Sequence, residues 1–225
     1  TGAVGLAANP LVDASGVRLW SRTGSLLQSI ARAEGVGFSS GWTSHGFAFP
    51  SGVSPDAGIA AVLRDDGITN LAFHATNNSF YQTFVSAGAV AAFADTGGQG
   101  YGDPGLSSLG GVVHIWVRGL NSGLWLRRYA GGWEAWRHLG ALPLGATLGS
   151  GPSAVRVPGT NQVKVAARSA GGEHPGELYV ATWDESTLSL GAWSWIGTPP
   201  GAAAGGPGLA ADVATPVATS AARPG

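Results

Sequence analysis

Residues 112–140, VVHIWVRGLNSGLWLRRYAGGWEAWRHLG, read as two short strands joined by a polar turn, with a third strand entered through Gly131 and Gly132. Val113, Ile115 and Val117 alternate with His114, Trp116 and Arg118, the period of two expected when successive side chains point to opposite faces of a sheet. The LNSG segment that follows is turn chemistry, because Asn and Gly tolerate positive φ at little steric cost. Leu124 to Tyr129 make the return strand, and GGWEAWRHLG then brings Trp133 and Trp136 close together ahead of another Gly.

The same unit recurs along the chain. An apolar strand ending in a basic residue, a polar turn and an apolar or aromatic pair are found in VRLWSRTGSLL, ITNLAFHATNNSFY, VVHIWVRGLNSGLW and VKVAARSAGGEHPGELY. The terminal basic residues are Arg22, His74, Arg118 and Arg168, spaced by 52, 44 and 50 residues, and an incomplete copy, PVATSAARPG, ends in Arg223. Such a period matches one four-stranded propeller blade of roughly 40 to 50 residues with variable loops. Two further anchors keep step. Trp42, the pair Trp133 and Trp136, and the pair Trp193 and Trp195 follow the hairpins of repeats one, three and four, each close behind a Gly; repeat two carries AVAAFADTGGQGYG instead. Each unit also opens on a Gly-rich lead-in such as DPGLSSLGG or GPSAVRVPGTN.

The expected fold is therefore all-β, a β-propeller of four-stranded antiparallel blades with about four full repeats and a partial fifth. One domain spans 1–225, with repeats near 5–56, 57–103, 104–150 and 151–206 and a partial repeat at 207–225; the Gly/Ala/Pro-rich stretch 198–207 reads as a loop or linker. The last repeat holds only opening strands, so strands beyond this sequence or another chain are expected to complete it. SLLQSIARAEG, Ser25 to Gly35, has helix-like spacing, but its alignment with SFYQTFVS and LWLRRYA favours a strand. Ala87 to Asp95 has no such repeat partner and is left open as an insertion.

Composition bounds the function. The chain of 225 residues holds 38 Gly and 13 Pro, which suits many short strands and turns. Charged residues are 11%, against roughly 25% in a typical soluble domain, so Ser, Thr, Asn, Gly and Ala must cover the surface. The net charge is −1 and the basic residues are scattered, which argues against a nucleic-acid partner. Their densest group, Arg127, Arg128, Arg137 and His138, reads as solvated strand positions. With no Cys there are neither disulfides nor thiolate metal sites, and no run approaches the roughly 18 to 20 apolar residues of a membrane span. A start at Thr1 and the lack of Met fit a processed mature protein or a partial record; the former fits export, to a secreted or cell-surface location.

Catalytic readings are weak. Asp65 and Asp66 precede Gly67 at a strand boundary, where Asp serves turns, and Asp184 and Glu185 read the same way. Sialidase-type propellers carry SxDxGxTW turns, which this chain lacks. Ser44 beside His45 has no placed orienting carboxylate, and the five His show no metal-ligand spacing, so no catalytic residue, cofactor or metal is expected. GGQGYG lacks the strand and helix context of a phosphate loop. Asn77, Asn78 and Ser79 form a glycosylation sequon that a hairpin turn explains equally well.

The succession WVRG, LNSG, LWLRRY and GGWEAWRHLG, with VKVAARS, ELYVATW and GAWSWIG in repeat four and LWSR and SGW in repeat one, resembles the repeat of the Photorhabdus-type fucose-binding lectins, a family of seven-bladed β-propellers. The resemblance implies non-catalytic sugar binding in pockets between adjacent blades. Beside it stands a physical expectation: a sugar ring offers one apolar C–H face and a rim of hydroxyls, so a site needs an aromatic platform and a few orienting polar groups. Candidate sugar contacts are Trp42, Trp133, Trp136, Trp193 and Trp195, with Arg22, Arg118 and Arg168. Trp20, Trp116, Trp125 and Trp183 alternate within strands and read as packing between blades; the recurring Arg slot also fits a buried cation that hydrogen-bonds neighbouring carbonyls.

Three functions follow as expectations. The first is a lectin for fucose or related deoxy or methylated sugars. The second is a structural or docking propeller in a larger extracytoplasmic assembly or homo-oligomer that completes the last blade. The third is an accessory domain of a glycan-processing enzyme. Trp rings lining open clefts favour the first; Trp rings all buried or capped favour the second.

Overall fold

The computed structural model describes residues 11–13, 16–23, 26–32, 41–51 and 53–197; the proposed linker and the partial fifth repeat lie outside them. Among the described residues the chain is all-β and holds no helix. It forms a β-propeller architecture of four-stranded antiparallel blades.

Strands β1 (Leu11–Asp13), β2 (Gly16–Thr23), β3 (Leu26–Arg32) and β4 (Thr43–Ala48) make the first blade in simple sequence order. The described part of the stretch that also had helix-like spacing, Leu26–Arg32, is thus a strand and not a helix. In the second blade, β5 (Pro55–Leu63), β6 (Thr69–Ala75) and β7 (Ser79–Ser86) are followed by the two-residue β8 (Ala89–Val90) and by β9 (Ala94–Leu109). Ala87 to Asp95, left open from sequence, is therefore a short hairpin strand and the start of β9. The third blade adds β10 (Val112–Gly119), β11 (Leu124–Tyr129) and β12 (Arg137–Gly140). The fourth contains β14 (Ser153–Arg156), β15 (Gln162–Ala170), β16 (Leu178–Asp184) and β18 (Ser194–Gly197), with the short β13 (Thr147–Leu148) and β17 (Ser189–Leu190) at the ends of β15 and β16.

Strand β9 serves two blades at once. Gln99 pairs with Ser79 of β7, whereas the next residue, Gly100, pairs with Gly119 of β10. Blades two and three are consequently one continuous eight-stranded sheet. The glycines of this strand make the passage possible: a Cβ at Gly100 would run into the Arg118 carbonyl and lie 3.0 Å from the Phe80 ring.

The repeat anchors have a structural meaning. Arg22 is opposite Leu27, His74 opposite Phe80, Arg118 opposite Leu124 and Arg168 opposite Leu178, so each copy sets its second and third strands in the same register. A bulge follows in every blade between the third and fourth strands, at Leu26/Gln28, Ser79/Tyr81, Leu124/Trp125 and Leu178/Tyr179. Extra residues inserted on one strand increase its local twist and turn its side chains, which here moves the outer strand's rings off the regular ladder.

Blade faces pack on one another, and the core divides accordingly into three clusters. Trp20 and Leu27 of the first blade meet Leu71, Phe73 and Phe93 of the second. Ala72 and Phe80 meet Val113, Ile115 and Val117 of β10. From the opposite face of β10, Trp116 joins Leu124, Leu126, Val163, Val165, Tyr179 and Trp183. Alternate residues of one strand thus enter different interfaces. All of β6 is buried for this reason, and Trp20, Trp116 and Trp183 are the inter-blade packing expected of them.

Gly100→Ala is expected to lower stability by about 1 to 3 kcal/mol, the usual cost of overpacking. Gly132→Ala, where a Cβ meets nothing within 4 Å, stays within roughly 0.5 kcal/mol of the parent. Denaturant unfolding of the two variants side by side checks this.

Candidate functional site

The richest polar cluster lies between blades three and four. His114 of β10 and Arg128 of β11 are directly opposite each other and share the face that carries Trp116. Their partner is Glu185, which follows β16 in the fourth blade. One carboxylate oxygen, Oε2, accepts from His114 Nε2 at 2.8 Å and from Trp183 Nε1 at 2.8 Å, while Oε1 accepts from the Arg128 guanidinium. Arg128 also donates to Glu134 Oε1 at 2.6 Å. Glu185 backbone N–H donates to the Asn161 carbonyl at 2.9 Å, and Arg137 reaches across from the third blade to the Leu188 carbonyl, its guanidinium 5.8 Å from the centre of the Trp183 ring.

Two expectations are corrected here. Arg128 is not a solvated strand residue: it is 8% exposed and ion-paired across a blade interface. Glu185 is not a turn acid either, although its neighbour Asp184 is, accepting from the backbone N–H of Ser186 and Thr187. Burial acts to raise the Glu185 pKa, but the hydrogen bonds from His114, Trp183 and Arg128 outweigh it and hold the carboxyl down at about 2.

Period-two alternation puts Arg127 on the other face, as expected, but there it is part-buried against blade two and not a solvated strand position. It donates to the Thr96 carbonyl and lies over the Trp133 ring at 5.3 Å. Trp136 Nε1 donates to the same carbonyl at 3.0 Å, and its ring lies on Gly98, where a Cβ would come within 2.5 Å. Trp133 and Trp136 are therefore partly buried and held in place by blade two.

Among the described residues the Trp rings most open to solvent are Trp42, 43% exposed, and Trp195, 55% exposed. Trp195 stands on the outer strand of blade four just past the bulge and lies flat against His174, with ring centres 5.0 Å apart and planes 15° from parallel. His174 Nδ1 is 3.1 Å from Glu177 Oε2. Trp193, two residues earlier, packs instead on the cluster between blades three and four.

Blade three builds a similar edge from different residues. Trp125, partly exposed and so not pure inter-blade packing, stacks with His138 at 4.7 Å and donates to Asn121 Oδ1 at 3.0 Å. The motifs Trp136–Gly140 and Trp193–Gly197 occupy the equivalent outer strands, each ending in a glycine of positive φ.

The recurring basic slot is structural in two copies. His74 Nε2 bonds the Gly100 carbonyl at 2.9 Å, and Arg118 donates to Ser122 Oγ at 3.0 Å while lying over the Tyr101 ring at 5.4 Å. Arg168 holds the same register position in blade four and is partly buried, and Arg22 holds it in blade one through its backbone pairing. Asp66 and Asn77 behave as turn chemistry, Asp66 binding Arg64 and the Ile68 N–H and Asn77 Oδ1 accepting from Ser79 N–H, whereas Asp65 accepts from Arg156 of blade four at 2.9 Å. Ser44 lies in β4, and His45 bonds Ser29 and stacks on Trp20. Among the described residues no group of three or more His, Cys, Asp or Glu is placed to hold a metal ion, and no helix is long and apolar enough to cross a membrane.

Taken together, face-packed antiparallel blades with aromatic outer edges define a β-propeller. No family model matches the chain, and no curated protein matches it. Solved structures do. A mutant of the Aleuria aurantia lectin in complex with Fucα1-6GlcNAc aligns with TM-score 0.54 and 18% identity over 82% of this chain and 59% of that one; the same lectin is described as a six-bladed β-propeller. A mutant of AofleA from Arthrobotrys oligospora aligns with TM-score 0.55 and 13% identity over 83% of this chain and 55% of that one. A protein of unknown function from Dyadobacter fermentans aligns with TM-score 0.57 and 10% identity over 80% and 64%. The chain thus spans less than two thirds of each of these structures, and at such identities the likeness establishes the fold.

The Glu185 clamp makes stability depend on acid pH. Because its carboxyl titrates near 2 when folded against 4.5 normally, its contribution is complete above pH 4.5 and is lost as pH falls toward 2. Between pH 5 and pH 2.5 the parent is expected to lose up to about 2 to 3 kcal/mol that Glu185→Gln does not lose. Urea midpoints of both proteins across that range measure it.

Proposed function

We propose that this chain is a non-catalytic, lectin-like carbohydrate-binding propeller that recognises fucose or a related deoxy or methylated sugar. The observation that carries the reading is Trp195: a 55% exposed indole, backed by His174, at the edge of blade four. An aromatic face held rigid from behind suits the apolar C–H face or methyl group of a deoxy sugar, and the neighbouring Glu177 is a hydrogen-bond acceptor for hydroxyls. Trp42 offers a second open ring. Trp193, Trp133 and Trp136 are proposed as flanking contacts, with Arg22 and Arg168 as donors to ring hydroxyls, while Arg118 keeps its structural place against Ser122 and Tyr101. Similarity in fold to the Aleuria lectin, which was solved with a fucosylated disaccharide, supports the same class of ligand.

Weak sites repeated on one rigid scaffold gain avidity toward a glycan-coated surface, which fits a secreted or cell-surface protein. A docking role is the second reading, favoured by Ile196, 59% exposed beside Trp195 on the same edge strand.

A glycan array followed by calorimetry separates them. Saturable binding of a fucosylated or methylated glycan is expected, with Trp195→Ala weakening it about tenfold, or ~1.4 kcal/mol, at an unchanged unfolding midpoint. A folded chain that binds no glycan sinks the lectin reading.

A further inference from the structure

The Glu185 carboxylate sits in a receptor that other residues build. His114 Nε2, Trp183 Nε1 and the Arg128 guanidinium come from three strands of two blades and converge on one carboxylate. His114 is 0% exposed and Arg128 8%, so the donors are fixed by the blade interface. The acceptor, by contrast, arrives on a surface hairpin. Its backbone is tied by one hydrogen bond to Asn161, Leu188 in the same hairpin has φ 52°, and Ser186, Thr187 and Leu188 are exposed.

The receptor has capacity that Glu185 does not use. Arg128 Nε–H is buried and without a hydrogen-bond partner. A buried guanidinium N–H left without an acceptor is costly, and a planar carboxylate free to settle against two edges of the guanidinium is the group that relieves it. Glu185, held by its own backbone, engages the Arg128 terminal nitrogen and leaves Nε bare. The indole of Trp183 forms one wall, with the Arg137 guanidinium 5.8 Å from its ring centre.

We propose that the crevice between blades three and four is a carboxylate-binding site in which Glu185 stands as the built-in occupant, and that it accepts a small external carboxylate, that of a uronic-acid sugar or a free monocarboxylate, once Glu185 is withdrawn. The site is chemically unlike the neutral-sugar edges, and it stands or falls separately from the reading of Trp195. Three donors on a dry floor select an anion with two coplanar oxygens, and a neutral sugar would leave the guanidinium uncompensated. Glu134, 41% exposed at its side chain, already neutralises part of the Arg128 charge on the solvent side, which limits the crevice to a single carboxylate.

The test is chemical rescue. Thermal midpoints of the parent, Glu185→Ala and Glu185→Gln are measured at pH 7 in sodium acetate, in methyl glucuronide sodium salt and in sodium chloride of equal ionic strength. Glu185→Ala alone is expected to respond, its midpoint rising saturably by about 3 to 6 °C when the carboxylate reaches ten times its dissociation constant. The parent is self-occupied and Glu185→Gln is filled by the isosteric amide, so both stay level with chloride. Rescue by acetate but not methyl glucuronide assigns the site to free monocarboxylates; rescue by both admits sugar acids. A folded Glu185→Ala that responds equally to chloride and carboxylate overturns the proposal. If Glu185→Ala does not fold in chloride, its refolding yield in acetate is the readout. Recovery of soluble protein supports the site, and no recovery in either salt overturns it.

Discussion

Blades two and three are sheets buried on both faces, and much of the rest of the structure follows from that constraint. Neighbouring blades can seal only if each strand presents two apolar surfaces at once, so period two along a strand becomes a division of labour between interfaces. In β10, Val113, Ile115 and Val117 belong to the contact with blade two, and Trp116 belongs to the contact with blade four. Large rings fill the wide part of the wedge between blades. That is why Trp20, Trp116 and Trp183 are nearly or fully inaccessible, although each sits in a strand that also carries polar residues.

The same geometry makes a buried polar residue conspicuous. A polar donor facing an interface must find an acceptor on its own blade or the next, because leaving it desolvated and unpaired is costly. His74 solves this locally with a backbone carbonyl, whereas Arg128 solves it by reaching Glu185 in the next blade. Away from the interfaces the constraint relaxes. Past the recurring bulge, the outer strands have no further blade layer to fill, and rings such as Trp195 lie open. Buried packing and open aromatic rings therefore occupy different parts of the same sheet.

The architecture was legible in the sequence because its repeat anchors coincide with a physical register: each basic residue that marks a copy stands opposite an apolar residue near the start of the next strand. The hairpin turn at Asn77 and the strand from Leu26 were equally readable, since local turn chemistry and alignment between copies decide them. Glu185 was not. Its partners lie 57 and 71 residues away, and its neighbour Asp184 is an ordinary turn acid, so nothing local separates the two. One signal was present: alternation puts His114 and Arg118 on the face of Trp116, the interface side, and pairing then carries Arg128 to that face as well. Trp125 was legible in part: it packs against the cluster between blades two and three as alternation predicts, but alternation does not show that it stays partly exposed beside Asn121 and His138.

Strand β9 passes from one blade to the next without a loop, so the hydrogen-bond ladder runs unbroken from β5 to β12. Blades one and four join this slab through side-chain packing and a few ion pairs, with no shared ladder. The propeller is thus mechanically uneven: a stiff central pair flanked by two leaves. Local opening should begin in the leaves, where parting from the centre breaks no shared strand, while the amides of β6 and β10 exchange only when the slab itself unfolds.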